Sequence, residues 1–154
     1  MITQPSIPRL LESMRDELTE KILPVVDDPV LKVNIEMMTA VLNALAVRTE
    51  NEIAWMLEES NAIESAANDL SGSMPDSSSL DAALDDLRSN RPESMRLSDV
   101  AASYGKASEV LSCLADAAYR SGHAEAIATV EELVDSRLAT EQTAIGEFIA
   151  VGRE

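Results

Sequence analysis

Hydrophobic residues recur at intervals of three and four along most of the chain, a spacing that is typical of amphipathic α-helices. The alternation of hydrophobic and polar residues that marks a half-buried strand is found nowhere in the sequence. The pattern therefore predicts an all-α fold. The predicted helices cover residues 6–24, 29 to about 70, a short stretch around 80–87, 94 or 98 to 122, and about 124–151.

The second of these helices is the longest. Asp28 is a favourable N-cap residue, Pro29 suits the first helical position, and neither glycine nor proline follows before Gly72. A straight helix of this length would span roughly 60 Å, whereas a compact domain of this size is roughly 40 Å across. The helix therefore kinks or ends early, the bundle is elongated, or a second copy covers the exposed end, and we favour an elongated bundle with dimeric contact. The hydrophobic seam of this helix consists of Leu31, Ile35, Met38, Leu42 and Leu45.

Long amphipathic helices cannot bury their hydrophobic stripes alone, so they must pack together. The first helix and the short third one can lie in tandem along the second. We therefore predict an elongated four-helix-like bundle with one long central helix and a short extra helix. The length of 154 residues fits a single helical domain over residues 1–154, and the serine-rich run 71–79 is expected to be a flexible linker.

The formal net charge of −16 limits the partners of this chain. A phosphate backbone and an anionic membrane surface would both be repelled, so we expect neither nucleic-acid nor membrane binding. The N-terminal residues lack the features of a signal peptide, no uninterrupted apolar stretch reaches the length of a membrane span, and a single cysteine allows no internal disulfide. We therefore expect a cytoplasmic protein, whose charge either attracts a basic partner or keeps the chain soluble.

A polar run at residues 48–52 interrupts the seam of the long helix. Arg48 and Glu52 are four residues apart, so they share a helix face and can pair. Glu141 occupies a comparable gap in the last helix. If the two gaps meet, these three side chains and the Tyr104 hydroxyl form a buried polar layer that can bind a small molecule. Alternatively, the helix rotates slightly, neighbouring aliphatic residues take the core positions, and the charges are solvated.

Three arginines form the only basic cluster of the sequence, and they fall in a predicted loop. Arg88, Arg91 and Arg96 are the residue type that binds phosphate or carboxylate anions through paired N–H groups. The alternative interpretation is that these arginines balance the charge of neighbouring acidic residues.

Motifs for catalysis or metal binding do not stand out. His123 is the one histidine of the sequence, and no acidic residue lies three positions before it. The Glu-x-x-His pairs of di-iron bundles are therefore excluded. We expect His123 to be a solvated loop residue. Cys113 lies beside an apolar seam without a basic neighbour and is expected to be a buried, inert thiol. We therefore predict neither a metal nor a cofactor.

The N-terminal part of the chain carries a family-like pattern. Residues 8–24 contain Leu-Leu-Glu-x-x-x-x-Glu-Leu and end in Leu-Pro, and Asn-Ala-Leu-Ala-Val at 43–47 is followed by the charged Arg48 and Glu50. In these features residues 5–60 resemble a group of small uncharacterised bacterial helical proteins. Members of that group are often encoded beside aminoglycoside-phosphotransferase-like kinases and acyl-CoA dehydrogenases. The resemblance implies an accessory role beside a kinase-like partner and supplies no known catalytic residues.

Together these features favour a non-enzymatic accessory or protein-interaction module. It would act through its helix faces, as a homodimer or with a partner protein. The alternative is a small-molecule-binding or enzymatic bundle that uses the layer of Arg48, Glu52 and Glu141.

Overall fold

The computed structural model describes residues 4–74 and 77–145, and it is a helical bundle with no strand among these residues. The long second helix is continuous over 43 residues. The predicted all-α fold with one long helix and a short extra helix is therefore confirmed. In chain order, α1 is Ile7–Glu17, α2 is Pro29–Ser71, α3 is Ser78–Ser89, α4 is Leu97–Ser121 and α5 is Ala124–Ile145.

The first helix ends earlier than the sequence pattern predicts. Instead of one helix to Pro24, α1 is followed by a π-helical turn over Leu18–Ile22 and a 3-10 turn over Leu23–Val25. Pro24 is the physical reason, because it has no N–H and its ring collides with the carbonyl group four residues before it. The Leu23 N–H donates to the Leu18 carbonyl, five residues back, which is the wider hydrogen-bond spacing of a π-helix.

Two of the other helix ends follow sequence signals, and the start of α4 does not. Asp28 caps α2, since its Oδ1 accepts a backbone N–H of the first turn at 2.8 Å. Gly122 ends α4 with a left-handed φ of 68°, and its N–H donates to the Ala118 carbonyl at 3.0 Å. At the start of α4, Arg96 occupies the N-cap position and Ser94 Oγ accepts the Arg96 N–H at 3.1 Å.

The described residues form two compact units. The N-terminal unit contains residues 4–52 and 141–145, and the core unit contains residues 53–74 and 77–140. The boundary within α2 falls between Glu52 and Ile53, at the end of the polar run 48–52. The last helix is described as far as Ile145, so its predicted continuation towards Val151 lies outside the described residues.

The core unit contains a hydrophobic cluster built from residues of α2, α3, α4 and α5. Burial of a leucine or isoleucine side chain contributes about 1.5–3 kcal/mol, so these residues dominate the stability of the unit. Alanines such as Ala67, Ala107 and Ala126 are fully buried, and their small size lets helices approach closely. Met74, within the run predicted to be a linker, is buried in the same cluster. The largest fully buried side chains are Ile63, Leu80, Leu87, Val100, Val110 and Leu114.

The N-terminal unit has almost no buried core. Ala46 is the one buried residue among the part of this unit that the structure describes. In addition, α2 is long and apolar enough to cross a membrane by length and composition alone, and its most apolar stretch of 18 residues is only 6% buried. The exposed large hydrophobic residues between positions 7 and 45 are Ile7, Leu10, Met14, Ile22, Val25, Val30, Leu31, Val33, Met37, Met38, Val41 and Leu45.

Candidate functional site

The candidate functional site is an exposed hydrophobic surface of the N-terminal unit. At 100° per residue, six exposed hydrophobic residues of α2 fall within an arc of about 120°. Between positions 29 and 48 the charged residues are Lys32 and Glu36 alone, so this part of an acidic chain is poor in charge. We call the six exposed hydrophobic residues of α2, together with Met14 and Leu18, the apolar face. The six α2 residues are Val30, Leu31, Met37, Met38, Val41 and Leu45.

A groove between α1 and α2 forms the middle of the apolar face. Its volume is about 570 Å³. Three methionines contribute to its walls, and their flexible, polarisable side chains adapt to partners of irregular shape. Glu17 is the single charged residue among its described lining residues, so the groove offers few polar groups for directional recognition. The lining consists of Met14, Glu17, Leu18, Met37, Met38, Val41 and Leu42.

Polar contacts of α1 hold this arrangement without covering the groove. The Arg15 guanidinium links α1 to α2, since its Nη1 donates to Asn43 Oδ1 at 3.1 Å. Its Nε and Nη2 donate to Asp16 Oδ1 at 3.0 and 2.8 Å. Lys21 Nζ lies 2.6 Å from Glu17 Oε2, and the hydrogen bond to this carboxylate raises the pKa of Lys21. The hydrophobic side chains of the face are left exposed to solvent.

The predicted polar layer is only partly assembled. Arg48 and Glu52 form an ion pair on α2, as their spacing predicts. The Arg48 side chain is 51% exposed and Glu141 on α5 is also exposed, so the alternative in which these charges are solvated describes both residues in the single chain. Tyr104 belongs to the core unit, where its hydroxyl donates to Glu59 Oε2 at 2.8 Å. A ligand-binding role for Arg48, Glu52 and Glu141 stays a prediction.

A polar network does cross the core unit, but Tyr104 is its only member from the predicted layer. Arg137 Nε donates to Glu59 Oε1 at 2.5 Å, and Arg137 Nη2 donates to Ser108 Oγ at 3.1 Å. The Arg137 guanidinium carbon also lies 5.5 Å from the centroid of the Tyr104 ring, within cation–π range. Glu59 is 15% and Arg137 26% exposed. Because these contacts join α2, α4 and α5, this network is a structural tie between helices.

The predicted anion-binding arginines are largely engaged by acidic residues of the core unit. Arg88 Nε lies 3.5 Å from Glu64 Oε1, and Arg91 forms an ion pair with the same carboxylate. Arg88 also contacts Asp85 at 3.4 Å. Arg96 is exposed. These contacts support the alternative interpretation, in which the cluster balances local acidic charge, and anion binding stays a prediction.

His123 has a role that the sequence pattern does not indicate. It is half-buried, and its Nδ1 accepts the Ala126 N–H at 3.2 Å, so it caps the start of α5. The expectation that it is a solvated loop residue is therefore wrong. Cys113 is half-buried against the hydrophobic cluster of the core unit. Within residues 4–74 and 77–145, no group of three or more His, Cys, Asp or Glu side chains is placed to hold a metal ion.

Comparison with protein families, curated proteins and solved structures finds no match to this chain. The resemblance of residues 5–60 to small bacterial helical proteins therefore stays a prediction. Among the described residues, the apolar face is a hydrophobic surface of a size that often marks an interaction site.

Proposed function

We propose that this chain is a non-enzymatic protein-interaction module, which associates through the apolar face of its N-terminal unit. The observation that carries the proposal is the exposure of the apolar face, which includes three of the five seam residues of α2, Leu31, Met38 and Leu45. Leu31 is 51% exposed and Met38 is 52% exposed, although both residues fall at the helical spacing that normally marks core positions. A hydrophobic stripe of this kind normally faces a core or a partner surface.

The size of the exposed surface supports this proposal. The exposed side chains of the apolar face leave on the order of 800 Å² of apolar surface, whereas the largest patch on a monomeric protein is typically about 300–600 Å². Apolar area contributes about 25 cal/mol per Å² when it is removed from water. Covering even half of this surface therefore provides a large favourable free energy for association.

An enzymatic or small-molecule role has less support. The groove volume of about 570 Å³ is within the usual range of ligand pockets. However, such pockets place several polar groups to orient their ligand, and Glu17 is the only charged group among the described lining residues. In the polar network around Glu59, both carboxylate oxygens already accept hydrogen bonds from Arg137 and Tyr104 of the same chain.

A membrane-spanning role is also less well supported than association with a protein. The apolar part of α2 contains the polar or charged residues Lys32, Asn34, Glu36 and Asn43, whose side chains are costly to place in a bilayer. The net charge of −16 adds repulsion from anionic lipid surfaces. We therefore place the module in the cytoplasm as part of the proposal.

Methionine oxidation tests whether the apolar face is covered. Met37 and Met38 are 56% and 52% exposed in the single chain, and Met95 in the core unit is 71% exposed and serves as the internal reference. A brief peroxide treatment of the soluble fraction of expressing cells, followed by mass spectrometry, gives the relative oxidation rates. We expect Met37 and Met38 to be oxidised at least about fivefold more slowly than Met95.

The matched control is the purified chain at nanomolar concentration, in which the three methionines should be oxidised at similar rates. Equal oxidation rates in the soluble fraction would overturn the proposed interaction role. If the chain is recovered in the membrane pellet and Met37 and Met38 are protected from oxidation there, the apolar face is covered by lipid and not by a protein.

A further inference from the structure

We infer that the partner of the apolar face is a second copy of this chain, packed so that two α1–α2 hairpins form an intermolecular four-helix bundle. The inference rests on the proposed function and specifies its partner. It follows from three properties of the apolar face: its area, its symmetry and its charge.

The area matches what a stable dimer requires. A standard protein interface buries about 800 Å² on each partner, and obligate homodimers bury more and are more hydrophobic. The exposed side chains of the apolar face provide on the order of 800 Å² per chain, so covering the whole face reaches that range. A hydrophobic composition with few charges is also the composition of homodimer interfaces.

The arrangement of the face suits a two-fold contact. Its exposed α2 residues extend from Val30 to Leu45, with Met37 and Met38 at the midpoint of this stretch. An antiparallel pair of α2 segments that cross near this midpoint places hydrophobic residues opposite hydrophobic residues along the whole stretch. The groove beside α2 then receives side chains of the second copy, and methionines on both sides adapt to each other.

The charge distribution favours a second copy over a partner of opposite charge. The chain carries −16 overall, yet Lys32 and Glu36 are the only charged residues between positions 29 and 48. A basic partner would be attracted to the acidic surfaces elsewhere, not to this neutral face. A second copy fits a face whose groove contains one charged residue, Glu17, already paired with Lys21, and the main electrostatic cost is the repulsion between two acidic chains. Such a dimer becomes tighter as salt screens that repulsion, whereas a contact between opposite charges becomes weaker.

The oligomeric state of the purified chain tests the inference. Light scattering and analytical ultracentrifugation at micromolar concentration should give twice the mass of the chain, with an association that strengthens between low and high salt. Val41→Glu should raise the dissociation constant at least about 100-fold, because two carboxylates would be buried without partners. Met95→Glu, an equally radical change at an exposed position of the core unit, should leave the dissociation constant unchanged.

A covalent test does not depend on the stability of the Val41 variant. In a Cys113→Ser background the chain has no other cysteine. Met38→Cys should then form an intermolecular disulfide on mild oxidation, while Met95→Cys in the same background should remain largely monomeric.

The outcomes separate this inference from the proposed function. A purified chain that is monomeric at high micromolar concentration, or equal cross-linking of the two cysteine variants, overturns the second copy as partner. If Met37 and Met38 are nevertheless protected in the soluble fraction of cells, the interaction role stands and the partner is a different protein. If protection is absent there as well, both statements fail together.

Discussion

The two units of this chain use similar aliphatic residues at similar spacing, yet only one of them buries these residues. In the core unit, Ile63 and Ala67 of α2 are fully buried against α3, α4 and α5. In the N-terminal unit, Leu31 and Met38 of the same helix remain half exposed. The difference shows that helical spacing determines which side of a helix is hydrophobic, whereas burial depends on whether other helices cover that side.

This comparison also separates the physical roles of the two units. Hydrophobic stabilisation follows the area removed from water, so the core unit supplies most of the stability of the single chain. The hydrophobic area of the N-terminal unit contributes only when a partner covers it, and its contribution then depends on concentration.

The strongest test of this difference truncates one residue in each unit. Leu114→Ala in the core unit should lower the free energy of unfolding by about 2–5 kcal/mol, because Leu114 is fully buried and its removal leaves a cavity. Met38→Ala in the apolar face should change it by less than about 0.5 kcal/mol in the dilute single chain. Urea unfolding at nanomolar concentration, followed by Trp55 fluorescence, measures both values. Equal losses would mean that the N-terminal unit has a buried core of its own.

The polar network of the core unit provides the next largest effect. Arg137→Leu should destabilise the chain by about 1–3 kcal/mol, because it leaves the Glu59 carboxylate, 15% exposed, without its charged partner. Arg120→Leu is the matched control, since Arg120 also forms an ion pair with an acidic residue but is 60% exposed, and it should cost almost nothing. Thermal unfolding of both variants checks the difference, and replacing Glu59 by Leu together with Arg137→Leu should recover part of the loss.

The same network shows how far sequence alone predicts this molecule. The helices and some of their ends follow from local signals such as Asp28 and Gly122, because capping involves only neighbouring residues. Pairing across helices depends on their packing, so the Arg137 contact with Glu59, 78 residues away in sequence, is not visible in any local pattern. A sequence signal for Glu59 does exist, since it lies four residues before the buried Ile63, on the core side of α2.

The sequence does not predict where the exposed hydrophobic surface lies. The length of α2 favours dimeric contact, and the exposed seam residues are consistent with that expectation, which stays a prediction. The sequence pattern directs attention instead to the gap at Arg48 and Glu52, because a polar interruption of a seam is easy to recognise. Exposure of the seam itself cannot be recognised from spacing, since a covered seam and an uncovered seam have the same periodicity.

Removing one helix cap in each unit should have intermediate effects. His123→Ala removes the acceptor of the Ala126 N–H and should lower the stability of the core unit by about 1 kcal/mol, with faster hydrogen exchange in the first turn of α5. His123→Asn keeps a side-chain acceptor and should behave like the unmodified chain. Asp28→Ala removes the cap of α2 in the N-terminal unit and should increase exchange only in its first turn. If Asp28→Ala destabilises the core unit as much as His123→Ala, the two units do not differ in the way proposed.

The smallest predicted effect is on the stability of the chain at high pH, and it is tested by comparing two lysines. The hydrogen bond to Asp86 on α3, followed by that to Glu109, raises the pKa of Lys106 on α4, and the hydrogen bond to Glu17 raises that of Lys21 in the N-terminal unit. A raised pKa in the folded chain means that the stabilisation is complete below pH 10.5 and is lost as pH rises through the higher folded value. Lys106 joins two helices of the core unit. In the Lys106→Met variant, the free energy of unfolding should therefore fall less steeply as the pH rises above 10.5. Lys21→Met should leave that slope unchanged, because Lys21 contacts its own helical turn and the core unit unfolds independently of that contact.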